Sequence, residues 1–433
     1  MAGGGSRFIL VIFGFLGLVL AAWGCGASPP KSGVSLVLAG GSGPEEACAK
    51  EQLQEFQRLH PDIRVTYQAT PSSASERHTL FVTWLSSRSA EIDVLNLDVI
   101  WVPEFAAAGW LLPLDKAVAA ARLSLDDFLP PGLACSRYQG RLFALPWFAD
   151  AGLLYYREDL YRAAGLPPPR TFADLIKVKG LKERFGLPYG FLFQGQAYEG
   201  LVCAALEFLW SNGGGIFDPE GRLILDSVRN RQALAALVNL IYREGVSPLA
   251  VATFQEEDCR HAFEQGYAAL MRNWPYAYPL LNQTGSRVKA KFGVLPLVHG
   301  PGSRSVSCFG GGCLGINAFS RHPDASLKLV QFLLTKKNLK KRAQVLGMLP
   351  PLVSLYDDPD LKRQFPYLPR LKEVFLLARP RPITPLYSVI GEILRVHFSR
   401  ALTRQETPGQ ALEWGQREIA AALKRFGPQG AGR

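Results

Sequence analysis

Between residues 34 and 98 the apolar pattern switches repeatedly between strand and helix periods, and this leaves few folds open. Val34-Ser35-Leu36-Val37-Leu38 reads as a strand, and Gly40-Gly41-Ser42-Gly43-Pro44 as a turn. A helix follows with Ala49, Leu53, Phe56 and Leu59 on one face, stopped by Pro61. Residues 63–67 alternate as a strand, 77–85 are helical, and 93–97 form a strand that ends at Asp98. Strand–helix–strand–helix–strand implies an α/β layer with a largely parallel sheet, because parallel neighbours need a crossover helix. Ligands of such sheets gather beyond the carboxyl ends of the strands. Glu45 and Asp98 both fall there.

The remaining pattern is compatible with more than one such layer. At 433 residues the chain is long enough for two or three domains. The segment 140–148 reads as a crossing between lobes, and a second α/β region runs to about Pro296. Helices are expected at 199–212, 230–244, 325–335 and 411–426. With 48% hydrophobic and 20% charged residues, disorder is excluded for most of the chain. The long apolar run, Phe8 to Trp23, sits behind Arg7 at the N-terminus and reads as an export signal. Its ending, Ala22-Trp23-Gly24-Cys25, resembles a lipobox. Residues 1–25 are therefore expected to be a signal with Cys25 lipidated, and 26–32 a tether to the membrane.

The formal charge is +11, of which Arg7 carries one. Export argues against nucleic acid as the partner. The densest basic stretch, Lys336-Lys337-Asn338-Leu339-Lys340-Lys341-Arg342, reads as a solvated helix face, with attraction to anionic lipid as the alternative. Of seven cysteines, six follow Cys25, and Cys308 and Cys313 are near enough in sequence to pair. No C-x-x-C pair, H-E-x-x-H, G-x-S-x-G or Walker A sequence occurs, so no metal or cofactor is implied. Gly310-Gly311-Gly312-Cys313-Leu314-Gly315 has G-x-G-x-x-G spacing but lacks the strand–turn–helix context of a dinucleotide site. It reads as a turn where backbone approaches a ligand or another strand.

What is left is a set of carboxylates, arginines and aromatics at strand ends and crossings: Asp98, Asp150 after Trp147-Phe148, Trp274 and Tyr276, and Arg381 with Tyr387. A sugar needs this mixture. Its hydroxyls donate to carboxylates and accept from arginine, and its C–H faces pack on aromatic rings. Singly, a strand-end Asp is as readily a cap and a Trp as readily core.

Several long motifs carry a resemblance over nearly the whole mature chain. They include Leu97-Asp98-Val99-Ile100-Trp101, Asp150-Ala151-Gly152-Leu153-Leu154-Tyr155-Tyr156-Arg157, Ser211-Asn212-Gly213-Gly214, Arg272-Asn273-Trp274-Pro275-Tyr276-Ala277 and Pro380-Arg381-Pro382-Ile383. The chain resembles the family 1 extracellular solute-binding proteins of ABC sugar importers, of the trehalose/maltose-binding type. The resemblance implies an α/β fold, periplasmic-binding-protein-like type II, with two lobes, a multi-segment hinge and a ligand cleft between them. It suggests one lobe from 33–146 plus 307–355 and another from 147–306 plus 356–433. It also implies roles. Glu45 is the first-loop sugar carboxylate and Arg77 an arginine of the following helix. Asp98 is the strand-end acceptor, Asp150 the crossing carboxylate, Trp274 the stacking platform and Arg381 a late arginine reaching the cleft. Phe148, Tyr276, Gly311 and Tyr387 complete the expected ligand set.

The chain departs from that pattern at Gly312, where relatives carry Trp, at Phe148, where Tyr is common, and at Leu386, where an aromatic is usual; Trp147 is a candidate substitute wall. The expectation is a monomeric, lipid-anchored, exported receptor that is not an enzyme. It would deliver an α-glucoside to an ABC permease and its ATPase. A receptor for a glycerophosphodiester or aminosugar is the alternative, with a receptor that binds sugars without transport as a further one. A glycoside hydrolase using Asp98 and Asp150 is more remote.

Overall fold

The computed structural model describes residues 33–71 and 73–426. The expected signal, Cys25 and the tether lie outside the described residues. Two sheets organise the rest. The first has five strands in the order Ile63–Thr70, Val34–Gly41, Val94–Asp98, Phe309–Ile316, Ala144–Ala151. Its first three strands are parallel, while Phe309–Ile316 runs antiparallel to both of its neighbours. The second sheet has four strands in the order Gly293–Leu295, Leu153–Tyr156, Ala268–Asn273, Tyr189–Leu192.

Helices cover the faces as binary patterning dictates. Pro44–Leu59, Pro323–Leu333 and Lys336–Leu346 pack together on the first sheet, and Leu368–Leu377 packs on the strand Ala144–Ala151. Phe172–Arg184 packs on the second sheet, where Glu199–Ser211 is clasped by Val228–Tyr242 and Tyr387–Leu402. Pro408–Phe426 packs on Tyr387–Leu402 with its apolar stripe Leu412 and Ile419 buried. The result is two α/β lobes. The chain passes between them at Gly152, again between Leu295 and Phe309, and once more near Arg379. The last two passages are tied together where Arg379 N–H donates to Ser307 O at 2.8 Å and Phe309 N–H donates to Arg379 O at 2.9 Å.

Several boundaries differ from those read in the sequence. Gly40 and Gly41 continue the first strand, paired with Ala69 and Thr70, where a turn was expected. The segment expected to cross, 140–148, does not cross. It holds a short hairpin edge and most of the strand Ala144–Ala151, so the passage comes at Gly152. Phe309–Ile316 is a strand and not a turn. Its four glycines, 310 to 312 and 315, hide the alternation that would have announced it, because a residue with no side chain has no face to show. Residues 147–151 stay in the first sheet, and Leu368–Leu377 also packs there, although Tyr278 of the second lobe touches Phe365 and Tyr367.

Cys308 and Cys313 cannot bridge, because five residues of extended chain span about 16 Å. The six described cysteines are free and buried. The lysines of the basic run are paired with acidic neighbours on an exposed helix face. Lys337 meets Glu55, Lys341 meets Glu51, Lys340 meets Asp358 and Asp360, and Arg342 turns inward with 1% exposure. No helix of the described residues is long and apolar enough to cross a membrane.

The passage at Gly152 is sterically closed to any side chain. A Cβ there would lie 1.9 Å from Glu207 Oε1 and 2.8 Å from Arg272 Nη2, which form a buried ion pair. Gly152→Ala is expected to lower stability by about 1–3 kcal/mol, measured by urea unfolding, through overpacking and displacement of that pair.

Candidate functional site

The glycine strand fixes the geometry of the site. Gly312 pairs with Asp98 on one side, and Gly310 pairs with Asp150 on the other. Positions two apart on a strand share a face, and paired residues project to the same side. The two carboxylates therefore flank a floor of bare backbone on one face of the sheet. Gly311 between them has φ +126°, and a Cβ there would sit 2.3 Å from the carbonyl oxygen of Phe148. Only glycine fits.

Above Gly310 stands Trp274: a Cβ at Gly310 would touch its ring at 3.4 Å and the Cβ of Asp150 at 3.5 Å. The indole is held from three sides. The Arg272 guanidinium lies 3.8 Å from the ring centre, the indole N–H donates to Glu256 Oε1 at 3.2 Å, and the backbone carbonyl of Trp274 accepts from the Tyr155 hydroxyl at 2.8 Å. Arg272 is itself 2% exposed. It makes a fork to Glu207 at 2.9 and 2.7 Å and reaches Gln194 Oε1 at 3.1 Å. Such a cation under a ring, with each of its three nitrogens hydrogen-bonded, immobilises the platform.

On the opposite flank Glu45 opens the helix Pro44–Leu59, where a carboxylate suits the N-terminal dipole. Its Oε1 accepts from Asn96 Nδ2 at 2.7 Å and lies 3.6 Å from Arg342 Nη2. Arg77 lies over the Trp101 ring at 5.5 Å. Phe148 fills the space that a side chain at 312 would need: a Cβ on Gly312 would come 2.3 Å from the Phe148 ring. The Phe148 ring from the neighbouring strand thus lies over Gly312. Trp147 is not that wall. It is fully buried with the Arg342 guanidinium 3.5 Å from its ring centre.

The hinge contributes the last group. Arg381 Nη1 donates to Glu199 Oε1 at 2.8 Å, and its Nη2 reaches Asp98 Oδ1 at 3.4 Å. The Tyr387 hydroxyl donates to the same Glu199 oxygen. Tyr276 turns its hydroxyl to Glu257 at 2.7 Å, on the exposed edge. The structure thus brings Asp98, Phe148, Asp150, Gly311, Trp274 and Arg381 around one floor, with Glu45 beside it; Arg77 and Tyr276 stand at the margins. Glu199, Arg342, Glu256 and the Arg272–Glu207 pair were not singled out in the sequence. Glu207 in Leu206-Glu207-Phe208 was signalled as a charge inside an apolar helix, whereas Arg342 and Glu256 sit among other charges and carried no local signal. Among the described residues no cluster of His, Cys, Asp or Glu could hold a metal ion.

Electrostatics single out Asp150. Burial, reinforced by the charge of Asp98, pushes its carboxyl up to about 7; Arg272 opposes this and Glu256 adds to it. Its Oδ1 is buried with no partner. A carboxyl raised in the folded state holds a proton that the unfolded chain releases. Its stabilising contribution is therefore complete below about pH 4 and is lost as pH rises through about 7. Asp150→Asn removes that loss. Its Tm is expected to gain on wild type between pH 5 and pH 8, by thermal scans, with the gap smallest at about pH 4.

Similarity to known proteins extends over most of the chain. Residues 40–340 match the model of the bacterial extracellular solute-binding proteins. A probable ABC transporter-binding protein of Deinococcus radiodurans is 34% identical over 360 residues, covering 81% of this chain and 84% of that protein. The mannitol-binding protein of Pseudomonas aeruginosa is 26% identical over 397 residues, covering 86% and 89%. The structure of maltose-bound MalE3 of T. maritima superposes with a TM-score of 0.85 at 39% identity, covering 90% of this chain and all of that one. The two-lobe type II arrangement is shared with these sugar-binding structures.

Proposed function

This chain belongs to the bacterial extracellular solute-binding protein family, and we propose that it captures an α-glucoside, a disaccharide or short oligosaccharide of the maltose and trehalose kind, for an ABC importer. The observation that carries the reading is the glycine floor with Asp98 and Asp150 on either side and the locked face of Trp274 above it. Carboxylates 98 and 150 accept hydroxyl donors, Arg381 donates to a sugar oxygen, and Trp274 packs against ring C–H groups. Phe148 offers a second apolar surface over Gly312. The similarity to a maltose-bound protein supports a glucoside, and the mannitol-binding relative marks a linear polyol as the neighbouring chemistry.

The cleft residues come from both lobes and the hinge, so a ligand touching all of them favours the closed arrangement by differential affinity. Closure would present the complex to the permease and its ATPase. We assign no reaction to the two carboxylates: the family and the relatives above are binding proteins. Export, a lipid anchor at Cys25 and a monomeric state complete the reading.

Isothermal titration of residues 26–433 with maltose, trehalose, maltotriose, mannitol and glycerophosphocholine tests it. Saturable heat with a glucoside is expected. Trp274→Ala and Asp98→Asn should each weaken binding by about tenfold or more, from the lost ring surface and the lost charged acceptor. Binding of mannitol or the phosphodiester alone would reject the glucoside while leaving the transport role.

A further inference from the structure

Arg381 has two carboxylate partners, and they belong to different lobes. Asp98 ends a strand of the first sheet, and Glu199 opens the helix Glu199–Ser211 of the second lobe. The two contacts are unequal: 2.8 Å to Glu199 and 3.4 Å to Asp98. The guanidinium is 5% exposed, so the partner that carries most of its charge is decided by geometry inside the protein, with little help from water. Glu199 is held in place for that task. The Tyr387 hydroxyl donates to the same oxygen that takes Arg381, and the Tyr387 ring lies 5.8 Å from the guanidinium carbon. Asp98, by contrast, spends Oδ1 on the Ile100 N–H at 3.2 Å and on the long contact to Arg381, and among the described residues no hydrogen bond reaches its Oδ2.

We propose that Glu199 is a positioning residue that acts as the primary counter-ion of Arg381 and so keeps Asp98 available to ligand hydroxyls. A bidentate Arg–carboxylate pair is the strong form of this contact. Were Arg381 free to make one with Asp98, the acceptor that the ligand needs would be consumed. Glu199 draws the guanidinium toward the second lobe, which leaves one long contact across the lobes and an open carboxylate edge beside the glycine floor. The same arrangement links the hinge to both lobes, so a hydroxyl that binds Asp98 completes a chain from the first sheet through Arg381 to Glu199.

This inference rests on the proposed function, and its test separates the two. Maltose affinity is measured by titration for wild type, Glu199→Gln, Arg381→Met and the double variant, with Tm as the check on folding. Glu199→Gln keeps an oxygen for Tyr387 but removes the charge. It should weaken binding about tenfold, while in the Arg381→Met background it should change affinity less than about twofold. A purely structural role of Glu199 would instead give losses that multiply. Glu199→Asp, which keeps the charge one methylene further back, should restore part of the affinity. Tenfold losses that multiply, or Glu199→Gln binding like wild type, would overturn the inference with the function intact. A wild-type protein that binds no carbohydrate would overturn both.

Discussion

The strand Phe309–Ile316 is the constraint on which the site depends. It returns from the second lobe and inserts antiparallel between two strands of the first sheet. That insertion sets Asp98 and Asp150 two residues apart along a shared neighbour. It also leaves no side chain between them, because positions 310 to 312 are glycine. A side chain at 311 would meet the Phe148 carbonyl and one at 312 the Phe148 ring, each at 2.3 Å, whereas Trp274 stands in ordinary contact over 310. Burial raises the Asp150 carboxyl, and the charge of Asp98 across the glycine floor adds to that rise.

Around this floor the protein buries charge in order to hold rings and hooks still. Arg272 under Trp274, Arg342 under Trp147 and Arg381 beside Tyr387 are each 5% exposed or less, and each lies against an aromatic ring. Buried ions cost more than they return unless their hydrogen bonds are met. Arg272 meets that condition through Glu207 and Gln194, whereas Arg342 and Arg381 keep unpartnered nitrogens. A fully satisfied cation beneath the platform and incompletely satisfied ones at its margins divide the work. The platform is thereby held in place.

Much of this was legible in the sequence, for identifiable reasons. The parallel β–α–β start, the helix near 199–212 stopped by Gly213 and the terminal amphipathic helix follow from period and capping. Asp98 and Asp150 stood out because they sit at a strand end and at an expected crossing beside aromatic residues, in motifs that carry the family resemblance. The glycine strand was missed as a strand because its pattern is carried by its neighbours' side chains. The crossing was placed too early because nothing in 140–148 distinguishes a strand that ends at the hinge from one that spans it. Glu199 and Arg342 were passed over because their partners, Arg381 and Glu45, are 182 and 297 residues away in the chain. No local rule joins such pairs, and the contact exists only once the sheets have folded.

The most direct test is a crystal structure of residues 26–433 grown with maltose. The account requires one sugar ring against Trp274 over Gly310 and Gly311, with hydroxyls within hydrogen-bond distance of both Asp98 and Asp150. A sugar bound elsewhere, or a floor covered by side chains with the carboxylates turned from the ligand, would contradict it.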